Sequence, residues 1–210
     1  MNKSILGCLG ILVVGALIIG AWAVSKYNAL VPLSQSVDAQ WAQVQNVYQR
    51  RADLIPNLVK TVEGAANFEK STLTDIVNAR ASVGQVKIDP SKAPDDPAAL
   101  AKFQAAQDGL SSALSRLLVV VEKYPELKAN QNFLNLQSQL EGTENRISVE
   151  RGNFNTVVKA FNTAVLLFPT NIIAGFFGYK AKPYFEAKAG AENPPAVNFQ
   201  FGQPTPAPKK

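Results

Sequence analysis

Residues 37–62 read VDAQWAQVQNVYQRRADLIPNLVKTV, and their apolar positions Val37, Trp41, Val44, Tyr48, Ile55, Leu58 and Val62 recur at alternating spacings of four and three. That is a heptad seam, the pattern of a helix that buries one stripe against other helices. Arg51 stands where the seam calls for another apolar residue. Pro56 removes the hydrogen bond to the Ala52 carbonyl, so a kink is expected there rather than a break.

Three more seams lie downstream. Glu69, Leu73, Ile76, Arg80 and Val83 describe a shorter helix that ends at Gly84 and the Pro-rich stretch 89–97. Asp96 and Pro97 supply an N-cap and a first-position proline for the next helix, whose seam runs Leu100, Phe103, Gln107, Leu110, Leu114, Leu117, Val121 and Tyr124 before Pro125. The longest seam is Phe133, Leu136, Leu140, Glu144, Ile147, Arg151, Phe154, Val158, Phe161, Val165 and Phe168, closed by Pro169. Such a helix extends about 55 Å at the standard rise. The pattern predicts an all-α fold: an up-and-down four-helix bundle of long antiparallel helices with coiled-coil seams.

Upstream, residues 5–24 (ILGCLGILVVGALIIGAWAV) carry no charge and are bracketed by Lys3 and Lys26. Twenty such residues are the length a helix needs to cross the hydrocarbon core. Trp22 and Tyr27 fall where amphipathic aromatics sit at the far headgroup layer. The rival reading is a cleaved signal peptide, because Ala21-Trp22-Ala23 has the form of a cleavage site. A lipid-modified Cys8 fits less well, since no apolar segment precedes it. The expected organisation is a short tail at 1–4, a transmembrane helix at 5–25, a helical bundle at 26–186 and a flexible Pro-rich tail at 187–210. The expected location is the bacterial inner membrane, crossed once. Lys3 and the α-amino group against Lys26 give only a small bias, toward an inside N-terminus and an extracytoplasmic bundle.

Composition removes much chemistry. There is no His, and the one Cys lies inside the apolar run. Ser-His-Asp triads, Cys-His nucleophiles and His-containing metal sites are therefore excluded, and no cofactor is expected. The net charge of +5 is dispersed rather than gathered into a patch with stacking aromatics. That speaks against nucleic acid and for a mildly basic surface beside lipid headgroups.

Several ordered stretches carry a resemblance: Tyr27-Asn28, RRADLIPNLV at 50–59, EKYPELKAN at 122–130, NFLNLQSQLEGTENRISVERGNFN at 132–155 and FPTNIIAGFFGYKAKPYFE at 168–186. The chain resembles the LemA family from about Tyr27 to Glu186. The resemblance implies a bacterial single-pass membrane protein with a helical bundle, a retained apolar N-terminus and no established enzymatic activity. One departure is Phe68 ahead of Glu69, where the family pattern suggests His, so no role resting on that ring is carried over.

The anomalies are polar residues in or beside the seams. Arg51, Glu69, Arg80, Glu144 and Arg151 occupy seam positions, and a buried Arg needs carboxylate or carbonyl partners. Glu144 and Glu69 are the natural candidates, with Arg51 paired to Glu144. A register-setting polar network is the expected role; an anion site is the functional alternative. Asn155 and Asn162, one heptad apart beside Phe154 and Phe161, are grouped with this network; they are expected to bridge neighbouring helices or face water, with a polar cleft as the alternative. The segment holding Ile172, Ile173, Phe176, Phe177 and Tyr179 is expected either to cap the bundle or to touch lipid or another subunit, as a candidate interface.

The leading expectation is a non-enzymatic, membrane-anchored helical scaffold or interaction protein of the bacterial envelope. Its expected partners are membrane lipid, copies of itself as a homo-oligomer and other envelope proteins. The alternative is a soluble secreted helical protein, released by signal cleavage, that holds a small anion or peptide in its bundle. A carboxylate enzyme built on Glu144 and Glu141 ranks third, because paired carboxylates are common on solvated helices.

Overall fold

The computed structural model describes residues 3–65 and 68–187. Every element among them is helical: α1 (Lys3–Glu63), α2 (Lys70–Gln85), α3 (Pro97–Val121), α4 (Pro125–Lys128), α5 (Gln131–Leu166) and α6 (Thr170–Phe176). The expected tail at 187–210 lies outside the described residues except for Ala187.

The apolar N-terminal run and the first seam form one helix. α1 spans 61 residues and passes through both Pro32 and Pro56 without a break, a length of about 92 Å. It changes environment along its length: Leu9, Ile11, Leu12, Leu17, Ile18 and Ile19 are exposed, whereas Leu30, Val37, Trp41 and Val44 are buried. The helix already includes Lys3, so the expected short tail is taken up in part by α1.

The other helices begin where local chemistry dictates. Asp96 accepts from the Ala98 amide at 2.9 Å, with Pro97 following as first helical residue. Asn130 accepts from the amides of Asn132 and Phe133 and opens α5. Both side chains satisfy donors that a helix start leaves orphaned. A feature absent from the sequence reading is α6: the chain turns by 98° after α5 and winds for seven more residues.

Contacts fix the senses of the helices. Gln40 and Trp41 of α1 meet Glu150 and Phe154 of α5, while Arg51 meets Glu144, so α1 and α5 run in opposite senses. Phe103 of α3 lies against Trp41 and Tyr48, and Ser111 against Arg51, so α3 runs with α1. Arg80 of α2 reaches back to Ala52 of α1.

The core divides in two. One cluster holds Leu30, Val37, Trp41, Val44 and Tyr48 of α1 with Phe103 of α3 and Phe154, Val158 and Phe161 of α5. The other holds Ile55, Leu58 and Val62 with Leu73 and Ile76 of α2, Leu110 and Leu117 of α3 and Phe133 of α5. Helix α2 serves only the second cluster. In the first, its place is taken by Ala93 and the partly buried Val86 and Ile88 of the loop after α2, and by Phe185 of the C-terminal segment. The physical reason is length: α2 has 16 residues against 36 in α5.

Candidate functional site

Between the two clusters lies a polar layer built from three helices. Arg51, 1% exposed, donates to the Glu144 carboxylate at 2.7 Å and to Ser111 Oγ at 2.7 Å through one terminal nitrogen. Its other terminal nitrogen donates to the carbonyl oxygen and side-chain oxygen of Gln107. The guanidinium also lies 5.2 Å from the Tyr48 ring centre. Burial raises the Tyr48 hydroxyl pKa above its ordinary value, and the positive charges of Arg151 and Arg51 oppose that rise. Ser111 Oγ donates in turn to the other Glu144 oxygen at 3.2 Å.

A groove of about 270 Å³ opens beside this layer, with apolar walls from Leu58, Leu114 and Leu140 and a polar rim of Ser111, Glu141 and Glu144. It offers two carboxylates to a visitor, while the terminal nitrogens of Arg51 are committed. An anion is disfavoured there by simple Coulomb reasoning. Among the described residues no group of His, Cys, Asp and Glu is arranged to hold a metal ion.

The remaining seam charges do not join this layer. Glu69 is exposed and faces Lys123 at 3.8 Å. Arg80 is exposed and donates to the Ala52 carbonyl at 3.2 Å. Arg151 donates to the Glu186 carbonyl at 2.8 Å and lies 4.8 Å over the Phe185 ring. The expected single network is thus distributed over separate places, because α2 and the outer faces of the seams lack neighbours that would bury those charges.

Asn155 and Asn162 do something the sequence did not specify. Each side-chain amide makes a reciprocal pair with one backbone residue of an extended segment after α6. Asn162 donates to the Lys182 carbonyl and accepts from its amide, both at 2.8 Å. Asn155 does the same with Phe185, both at 2.9 Å. Gln104 of α3 repeats the motif with Glu186 at 2.9 and 3.3 Å. Three amides therefore hold a strap across α3 and α5 as a neighbouring strand would, satisfying backbone groups that would otherwise be orphaned.

The strap carries a residue that the sequence reading missed. Lys182 is 5% exposed, and its ammonium donates to Asp95 at 2.8 Å and to the Ala93 carbonyl at 3.1 Å. Asp38 of α1 accepts from the Ala93 amide at 2.9 Å, and the Trp41 indole donates to the Asp89 carbonyl at 3.2 Å. Strap, loop and α1 are thereby joined around the aromatic group of Trp41, Phe103, Phe154 and Phe185.

At the end of the bundle, the candidate interface residues split. Tyr179 packs on Phe161 with ring centres 6.0 Å apart, on the bundle side where Ala174, not itself a candidate, is buried. Ile173 is half-buried. Ile172, Phe176 and Phe177 are exposed, as are Leu166, Leu167 and Phe168 beside them. Phe177 lies 4.5 Å from the ring of Tyr27 on α1.

These features define a class: an all-helical protein whose N-terminal helix is long and apolar enough to cross a membrane, its most apolar 18-residue stretch having mean hydropathy 2.0 and lying unburied. The model of the LemA family matches residues 40–199, and the chain belongs to that family. It is similar to magnetosome protein MamQ of Magnetospirillum gryphiswaldense, 28% identical over 184 residues, which covers 80% of this chain and 68% of the relative. Magnetosome protein MamQ 2 of Paramagnetospirillum magneticum is 25% identical over 188 residues, with the same coverages of 80% and 68%. Protein LemA of Metamycoplasma hominis is 23% identical over 151 residues, 72% of this chain and 64% of the relative.

Proposed function

We propose that the protein is a membrane-anchored, non-enzymatic helical scaffold that holds its bundle rigidly at the surface of the bacterial inner membrane. The single supporting observation is the continuity of α1, whose exposed apolar half leads without a break into its buried half. Only five residues separate Val24, the last of the apolar run, from Leu30, the first residue of the buried core. A span joined this way transmits orientation, whereas a released domain has no use for it.

The soluble part is read as an up-and-down bundle of four helices in the half that contains α2. The senses of α1 and α5 and the return of Arg80 to Ala52 support that order. The polar layer serves to set register, as buried polar groups do in helical assemblies. Self-association and contact with other envelope proteins belong to the same reading, with the bundle extracytoplasmic.

Two measurements on the native protein test it. The full chain should stay in the membrane pellet after carbonate and high-salt washing, and its intact mass should include residues 1–24. A soluble species beginning near Val24 would overturn the anchored reading and favour the secreted binding protein.

A further inference from the structure

We infer that α6 is a membrane-surface foot, a short helix lying in the headgroup layer beside the exit point of α1 with its exposed apolar face in lipid. The inference rests on the anchored reading and deepens it, since it gives the bundle a second lipid contact separate from the span.

The geometry sets the level of α6. Helix α5 runs toward the end of the bundle from which the span emerges, and α6 turns away from it by 98°, so α6 lies across the bundle axis. Tyr27 of α1 is within 4.5 Å of Phe177 and 6.3 Å of Tyr179, ring centre to ring centre. Tyr27 follows Val24 by three residues, an axial step of about 4.5 Å. Interfacial helices sit about 5–10 Å into the boundary between headgroups and acyl chains, and α6 is held at that boundary by its contact with Tyr27.

The surface chemistry agrees. Phe168 is 78% exposed and Phe176 85%, and Leu166, Leu167, Ile172 and Phe177 are exposed around them. Ile172 and Phe176 are one turn apart on the same outward face, while Ala174 is buried toward the bundle. A patch of six large apolar side chains on an isolated water-facing surface marks an interaction site. Its position at the membrane-facing end leaves lipid as the occupant, since the bilayer itself lies between this patch and any soluble partner. Lys26 and Lys180 are the chain neighbours of Tyr27 and Tyr179, which meet at this level, and their charge suits anionic headgroups.

The test uses the full chain carrying Cys8→Ser and one new cysteine for a fluorescent label. The label goes on Ile172→Cys, on Phe176→Cys or, as a control on the exposed flank of α5, on Val149→Cys. Each protein is reconstituted in vesicles of equal parts phosphatidylcholine and phosphatidylglycerol. Lipids bearing a nitroxide should quench positions 172 and 176 several-fold more than 149, and acrylamide in the water should do the reverse. Equal acrylamide quenching at all three positions, in protein that still floats with the vesicles, overturns the foot and leaves the anchor standing. Protein that does not float overturns the anchored reading and the foot with it. Quenching of 172 and 176 by neither agent, with energy transfer between labelled copies, overturns lipid contact in favour of an interface between two chains.

Discussion

Arg51 is where the two halves of the core meet, and its energetics follow from what each partner loses. Glu144→Ala leaves a guanidinium that is 1% exposed with neutral acceptors only. Half of the Glu144 side chain is solvated, so water moderates the loss. We expect a cost of about 1–3 kcal/mol by denaturant unfolding of the full chain in detergent. Replacing Arg51 and Glu144 together with Leu does not restore neutrality, because the buried Gln107 side chain then lacks its donor; adding Gln107→Leu should recover most of the loss. A second expectation concerns Tyr48, whose pKa burial raises in the folded state. Its contribution to stability is full below its unfolded pKa of about 10 and is lost as pH rises through the higher folded value. Alkaline unfolding should therefore move to higher pH in Tyr48→Phe. Arg51 and Glu144 were legible because each interrupts a regular seam. Gln107 interrupts one equally and was the overlooked signal. Glu69, Arg80 and Arg151 show the limit of that logic: a heptad position fixes an angle around the helix axis, and burial also needs a neighbour at that height.

At the scale of elements, the strap and α6 were the parts that the seams could not show. An extended segment held by side-chain amides has no period of its own, and its partners Asn155, Asn162 and Gln104 lie 30, 20 and 82 residues from it in sequence. The two asparagines stood out by their heptad spacing, but spacing alone does not say what they bind. α6 was hidden for another reason: Pro169 and Gly178 bracket a stretch of seven helical residues, too short for periodicity to separate helix from loop. Gly178 has φ +78°, a left-handed conformation that suits glycine and turns the chain into the strap. The clamp makes a local prediction. Asn162→Ala should speed hydrogen exchange at the Lys182 amide, and Asn155→Ala at the Phe185 amide, each by about one to two orders of magnitude. Amides in the middle of α5 should keep their protection in both variants. Equal loss along α5 would mean that the asparagines support the helix itself rather than the strap.

For the whole molecule, the span and the foot differ in strength, and the difference can be measured. The long apolar stretch of α1 was plain from its composition, and its rigid continuation into the bundle was not, because Pro32 reads as punctuation between segments. A helix crossing the bilayer is held effectively irreversibly, since twenty apolar residues and their internally bonded backbone leave water together. The foot has six large apolar side chains to bury, and at about 1 kcal/mol each for partial insertion they supply roughly 6 kcal/mol. That corresponds to a partition constant of about 10⁴ M⁻¹, comparable to one myristoyl chain. A chain lacking residues 1–24 retains Leu30 and every other residue of both core clusters. It is therefore expected to fold, to bind phosphatidylglycerol-containing vesicles reversibly, and to be released by carbonate, whereas the full chain stays. Ile172→Asp with Phe176→Asp should lower the binding of the truncated chain about ten-fold or more without lowering its melting temperature, because both side chains are exposed in the fold. The same pair in the full chain should leave carbonate resistance unchanged, since the span alone suffices. A fall in melting temperature would instead assign these residues to packing, and unchanged vesicle binding would remove the foot as the source of the second contact.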